Sequence, residues 1–161
     1  MHTAYLLMGG NIGNREEYLQ QASQLISQLA GRVEKSSSIY ETAAWGNTNQ
    51  SAFLNQAVQI NTSLTAPELM TTLLLIEEKM GRKRLDKYGP RVIDIDILLY
   101  DQEIHATPHI RIPHPELPNR RFALEPLNEL APELVHPLLQ KSVSELLNNC
   151  EDPLPVTKLT T

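Results

Sequence analysis

Cysteine occurs once in 161 residues, tryptophan once and phenylalanine twice. The single thiol, Cys150, excludes an internal disulfide, and CxxC zinc spacing is absent. No apolar run approaches the ~20 residues that span a bilayer. The opening MHTAYLLMGGNIGN lacks the cationic lead of a secretory signal. These absences point to a reducing cytoplasm and no membrane partner. A formal net charge of −5 speaks against a general grip on nucleic acid. Two nucleotide-binding signatures are missing as well. GGNIGNR (9–15) is not GxGxxG, and GxxxxGK[ST] occurs nowhere.

What is present is an ordinary globular composition, 41% hydrophobic and 20% charged, with a length that suits a single domain over 1–161. AYLLM (4–8) reads as a short buried strand. Asn14 followed by Glu17 opens a helix whose apolar residues keep helical spacing to Gly31. RVEKSSSIY (32–40) reads as one polar strand, ETAAWGNTNQS (41–51) as a loop, and FLNQAVQINTS (53–63) as a second alternating strand. TAPE (65–68) is a capping box that predicts a helix over about 66–80, stopped by Gly81. RVIDIDILLY (91–100) is a strand, and the proline-broken stretch beyond it holds short strands and turns. RFALEPLNEL predicts a further helix, SVSE (142–145) caps a last one, and 150–161 reads as a loosely ordered tail. The order β-α-β-β-α-β with C-terminal helices is that of an α+β, ferredoxin-like sandwich, its helices on one face of a mainly antiparallel sheet.

Strand 91–100 carries an unusual feature. Ile93, Ile95 and Ile97 share one side, and Asp94 and Asp96 the other, with Cα atoms roughly 6.5 Å apart. Strands disfavour aspartate, and the acidic face also carries Val92 and Leu98, so it is not simply a wet side. A hard divalent cation completed by phosphates and water relieves the repulsion, and magnesium fits better than zinc because no His or Cys set accompanies these oxygens. Just before them lies GRKRLDKYGPR (81–91). Lys79, Arg82, Lys83, Arg84, Lys87 and Arg91 are six of the fourteen Lys and Arg, all within thirteen residues. Gly81, Gly89 and Pro90 shape that loop, and arginine forks match phosphate oxygens. Cation and arginines converging on one place suit phosphoryl transfer. Phe53 and Phe122, with the amide of Asn55 on the face of Phe53, suit a flat heterocycle read along its edge. His114, between two prolines in IPHP (112–115), suits a positioned donor to phosphate.

GGNIGN, YETAAWG (40–46), FLNQAV (53–58), IEEKMGRKR (76–84), YGPRVIDIDILLY (88–100) and IPHPELPNRRFALEPLNELAPEL (112–134) occur in that order. As a set they resemble the 6-hydroxymethyl-7,8-dihydropterin pyrophosphokinase family, from the first strand to about residue 138. The resemblance implies a Mg²⁺-dependent diphosphotransferase, with two ions and ATP as co-substrate. It would transfer pyrophosphate from ATP to the pterin hydroxymethyl group and release AMP, in folate biosynthesis. Asp94 and Asp96 then match the metal pair, with Arg82 and Arg91 as the catalytic clamp on the triphosphate. Glu77, Arg84, Lys87, Ile97, Ile110, His114 and Arg120 match further ATP contacts. Thr42, Ala43, Ala44, Trp45, Phe53, Asn55 and Phe122 match the pterin site. A monomer with small-molecule substrates is implied, without nucleic acid. Departures from the family pattern fall at Gly10, Leu74 and His109. A non-catalytic nucleotide sensor would not need two carboxylates aimed at phosphates. A metal-dependent nuclease or polymerase palm would need an extended basic surface.

Overall fold

The computed structural model describes residues 1–43, 51–81 and 92–159. Its strands are β1 (His2–Gly10), β2 (Arg32–Ser36), β3 (Tyr40–Thr42), β4 (Phe53–Thr62), β5 (Asp94–Tyr100), β6 (His105–Ala106), β7 (Arg111–Ile112) and β8 (Val156–Lys158). Its helices are α1 (Arg15–Leu29), α2 (Ala66–Lys79), α3 (Arg121–Leu130) and α4 (Val143–Asn148). The six-stranded sheet runs β5-β1-β4-β3-β8, with β2 also paired to β4. All its pairings are antiparallel. Taking β2 and β3 as one interrupted strand, this is the ferredoxin-like order.

The caps read from sequence are all formed. Asn14 accepts from Glu17 N–H, and Thr65–Glu68 and Ser142–Glu145 make reciprocal capping boxes. Strand 32–40 is instead divided in two. The Ser37 hydroxyl accepts from Ala57 N–H at 2.9 Å and the Ser37 carbonyl accepts from Gln56 Nε2 at 2.8 Å, so side chains stand in for regular ladder bonds there.

The helices lie on both faces of the sheet rather than one. On the first face Leu6, Met8, Leu54, Val58, Ile60, Ile93, Ile95 and Ile97 meet Leu19, Ala22 and Ile26 of α1 and Leu69, Leu73 and Ile76 of α2. On the second face Leu7, Ala57, Leu98 and Leu99 meet Ala123, Leu124 and Leu127 of α3 and Val143 and Leu146 of α4. A register shift against β1 leaves Leu98 as an extra residue, so Leu98 and Leu99 both join the second face. That irregularity is why an apolar run, rather than strict alternation, follows the aspartates.

Residues 151–159 are not a loose tail. β8 pairs with β3, and Leu159 N–H donates to Ile39 O at 2.8 Å. The Asp152 carboxylate is 7% exposed and accepts from Arg121 N–H, capping α3 from outside its own sequence.

Candidate active site

β5 is an edge strand, so the long side turned away from β1 meets groups other than a strand. Asp94 and Asp96 stand half-buried on the second face, opposite Gly9 and Leu7 of β1. A cleft of about 380 Å³ wraps this edge, lined by Met70, Leu74 and Glu77 of α2, by Asp94, Ile95, Asp96 and Ile97, and by Arg111, His114, Pro115 and Arg120. Carboxylates and cationic groups thus face one open space.

Glu77 is 5% exposed, and its carboxylate accepts from Ile95 N–H at 2.7 Å. The bond ties α2 to the backbone between the two aspartates. His114 N–H donates to Leu98 O at 3.0 Å, and His114 Nδ1 accepts from Glu116 N–H at 3.1 Å. The second bond fixes the tautomer with its proton on Nε2. Burial pushes the His114 imidazole below its usual range, and Arg120 adds to this while Asp96 and Glu116 oppose it. A neutral ring with one donor results.

The row Asp94, Gly9, Asn55, Tyr40 crosses the sheet from β5 through β1 and β4 to β3. A Cβ at Gly9 would overlap Asn55 Oδ1, so only glycine lets this amide lie flat over β1. Asn55 is 4% exposed, and its Nδ2 has no hydrogen-bond partner among the described residues. Phe53 stands two residues before it on the same face, half-buried. Phe122 packs from α3 against the same layer, and Arg120 Cζ lies 5.6 Å from its ring centroid. Arg120 therefore touches the aromatic compartment and the acidic cleft together.

The aromatic side is braced from below. Tyr40 O–H donates to Glu129 Oε1 of α3 at 2.6 Å, and Ser38 N–H donates to Glu129 Oε2 at 2.9 Å. Burial, with the Glu129 charge beside it, pushes the Tyr40 phenol far up. Burial acts upward on Glu129 too, but the Tyr40 and Ser38 hydrogen bonds outweigh it and hold that carboxyl below the ordinary range. Thr42 is buried, and its hydroxyl donates to Pro155 O at 3.1 Å, while Ala43 is exposed.

The sequence-derived candidates divide accordingly. Asp94, Asp96, Glu77, Ile97, His114 and Arg120 line one cleft. Asn55, Phe53 and Phe122 gather on the adjoining face, with Thr42 and Ala43 at its β3 end. Ile110 sits instead in the turn joining β6 and β7, in the first core with Ile97, and is 7% exposed. Arg82, Arg84, Lys87, Arg91, Ala44 and Trp45 lie outside the described residues. Reading the sequence missed Arg111, although the alternation of HIRI around it could have placed it beside Ile110 and Ile112. It also missed Asp152, whose distance from α3 in the chain left no local signal.

The model of the 7,8-dihydro-6-hydroxymethylpterin-pyrophosphokinase (HPPK) family matches residues 5–132. The 2-amino-4-hydroxy-6-hydroxymethyldihydropteridine pyrophosphokinase of Aquifex aeolicus (strain VF5) is 41% identical over 145 residues, covering 90% of each chain. Its namesake in Bacillus subtilis (strain 168) is 46% identical over 132 residues, covering 81% of this chain and 79% of that protein. Among solved structures, the Plasmodium falciparum HPPK-DHPS wild type with SDX-DHP superposes with a TM-score of 0.74 at 19% identity, which bears on the fold alone. This chain accounts for 92% of its own length there and 43% of that longer chain. With its family model matched over most of its length and two relatives above 40% identity, the chain belongs to the 7,8-dihydro-6-hydroxymethylpterin-pyrophosphokinase family.

Proposed function

We propose that the chain transfers pyrophosphate from ATP to the hydroxymethyl group of 6-hydroxymethyl-7,8-dihydropterin, giving the pterin diphosphate and AMP in folate biosynthesis. The observation that carries the reading is Arg120. It lines the cleft of Asp94, Asp96 and His114 and stacks on Phe122, so a phosphate compartment and a flat aromatic compartment share a wall. Two substrates held on the two sides would meet at that wall. Most of the rate enhancement then comes from placing one reacting oxygen against one phosphorus and from neutralising charge.

The residues divide by role. Phe53 and Phe122 take the pterin faces, and Asn55 uses its unpartnered Nδ2–H to read the ring edge. Thr42, Ala43, Ala44 and Trp45 contribute at the margin of that compartment. His114 offers its Nε2–H to a phosphate oxygen, and Arg120, with Arg82, Arg84, Lys87 and Arg91 of the basic loop, clamps the triphosphate. Ile97, with Ile110 behind it, forms apolar wall towards adenine. Glu77 fixes the backbone between the aspartates.

Asp94 and Asp96 present hard oxygen donors from one face of an edge strand, in a cleft with cationic walls, and this donor set fits Mg²⁺. They would hold two ions, which when bound supply charge neutralisation on the phosphates. The protein works as a monomer in the cytoplasm in this reading.

Purified protein with ATP, Mg²⁺ and the hydroxymethyl pterin should yield AMP in step with a pterin diphosphate on chromatography. ADP in place of AMP would identify an ordinary kinase instead. Asp96→Ala should lower turnover by about a hundredfold or more while leaving pterin affinity within a few-fold. Unchanged turnover in that variant would remove the aspartates from the reaction.

A further inference from the structure

We propose that the end of β5 remote from Asp94 and Asp96 forms a second metal site. It takes a borderline transition-metal cation of the zinc class, held by His2, Asp101 and Glu103 with His105 as fourth donor. His2 Nδ1 lies 2.7 Å from Asp101 Oδ2. One donor atom from each of His2, Asp101 and Glu103 falls within 4.8 Å of the others. His105 Nε2 lies 2.8 Å from Glu103 Oε1, so Glu103 joins the second imidazole to the first group. Two imidazoles and two carboxylates make a mixed nitrogen and oxygen set, which suits zinc and its neighbours rather than magnesium.

The donors are held in place by more than one another. Asp101 adopts the left-handed backbone, φ 47°, and its N–H donates to Thr3 O at 2.8 Å. Thr3 N–H donates back to Asp101 Oδ1 at 2.8 Å, leaving Oδ2 directed at His2. A backbone hydrogen bond on the other oxygen is how ligating carboxylates are commonly oriented. The His2 ring rests 5.1 Å from the ring of Tyr100, tilted by 31°. Glu103 N–H donates to Tyr100 O at 3.0 Å, closing the turn that carries both acids. His105 opens the β6–β7 hairpin. One ion would thus clip three segments: the start of β1, the turn after β5, and β6.

His2, Asp101 and Glu103 already present donor atoms within 4.8 Å of one another, whereas His105 touches the group only through Glu103 and must swing inward to complete the set. Two donors bound at about 2.0–2.1 Å in tetrahedral array stand about 3.3 Å apart, so each close pair must open by roughly half an ångström. The same distances also serve two ordinary histidine–carboxylate hydrogen bonds, so the decision lies with titration. The site lies roughly 20 Å along β5 from Asp94 and holds the sheet together rather than entering the reaction.

The test is calorimetric titration of Zn²⁺ into chelator-treated, tag-free full-length protein without nucleotide. One equivalent should bind and persist in an Asp94→Asn/Asp96→Asn double variant, which removes the other candidate donors. His2→Gln and Glu103→Gln should each weaken it by about tenfold or more. Zn²⁺ should raise the melting temperature of the parent and not of these two. Circular dichroism without metal checks that the variants fold, and Glu103→Gln, on an exposed turn, serves if His2→Gln does not. An equivalent lost only in the double variant, full binding by Glu103→Gln, or no binding at all would overturn the site.

Discussion

Asn55 keeps a buried Nδ2–H without a partner among the described residues, which costs the folded chain about 1–3 kcal/mol. Asn55→Ala removes that cost together with the edge reader. Its melting temperature should therefore hold or rise while pterin affinity falls by about 1–3 kcal/mol, measured by equilibrium binding beside a non-hydrolysable ATP analogue. Pterin affinity equal to the parent's would relieve Asn55 of its role. Glu77 behaves differently, because its carboxylate occupies the N–H between the aspartates. Glu77→Gln keeps a carbonyl acceptor and should retain most activity. Glu77→Ala should raise KM for ATP and lower kcat, and equal kinetics in the two variants would show that Glu77 positions nothing. The Asp94–Asp96 pair was legible in the sequence because strands disfavour aspartate, whereas Phe53 and Phe122 stood out only as the two phenylalanines of the chain. The work of Glu77 was not legible. Which backbone N–H a helix carboxylate meets depends on how α2 packs on β5, and spacing within α2 does not carry that.

At the scale of elements, the helix starts were legible because caps are local chemistry, written within four residues of one another. The division between β2 and β3 was not, since the serine run reads equally well as polar strand. The Ser37 hydroxyl becomes a ladder substitute only once β4 lies beside it. Nor was the fixed C-terminal segment legible. Its order comes from Arg121 and Thr42, distant in the chain, which bond Asp152 and Pro155. Because α3 carries Phe122 in its first turn and is capped by Asp152, removing that cap should be felt by the pterin. Asp152→Ala should cost about 1 kcal/mol of stability and raise KM for the pterin more than for ATP. A larger effect on ATP would sever the link between the C-terminal segment and the aromatic compartment.

For the whole molecule, one buried histidine and one half-buried histidine contribute to the response to acid. Burial lowers both His114 and His136, and His136 Nδ1 accepts from Leu138 and Leu139 N–H at 3.2 and 3.1 Å. Each takes up a proton less readily folded than unfolded. Just below the usual histidine value of about 6.5, the unfolded chain binds more protons, so stability is fully present above that pH and is lost as pH falls. Melting temperature should decline from pH 7 to pH 5, and His136→Asn, which keeps an acceptor without the titration, should flatten the slope. An identical slope in that variant would clear His136. No described helix is long and apolar enough to cross a membrane.

The same contacts that shape the site also close the sheet's flanks. On the β5 side, Glu77 occupies Ile95 N–H, and Leu98 O accepts from His114 N–H. On the other side stands β8, three residues long, with its Lys158 ammonium 3.8 Å from Glu129. An incoming strand from another copy finds one donor and one acceptor of β5 already occupied at one border and a short strand with a charged side chain at the other. An edge strand, which ordinarily invites templated stacking into fibrils, is here interrupted by the side chain and backbone that wall its own cleft.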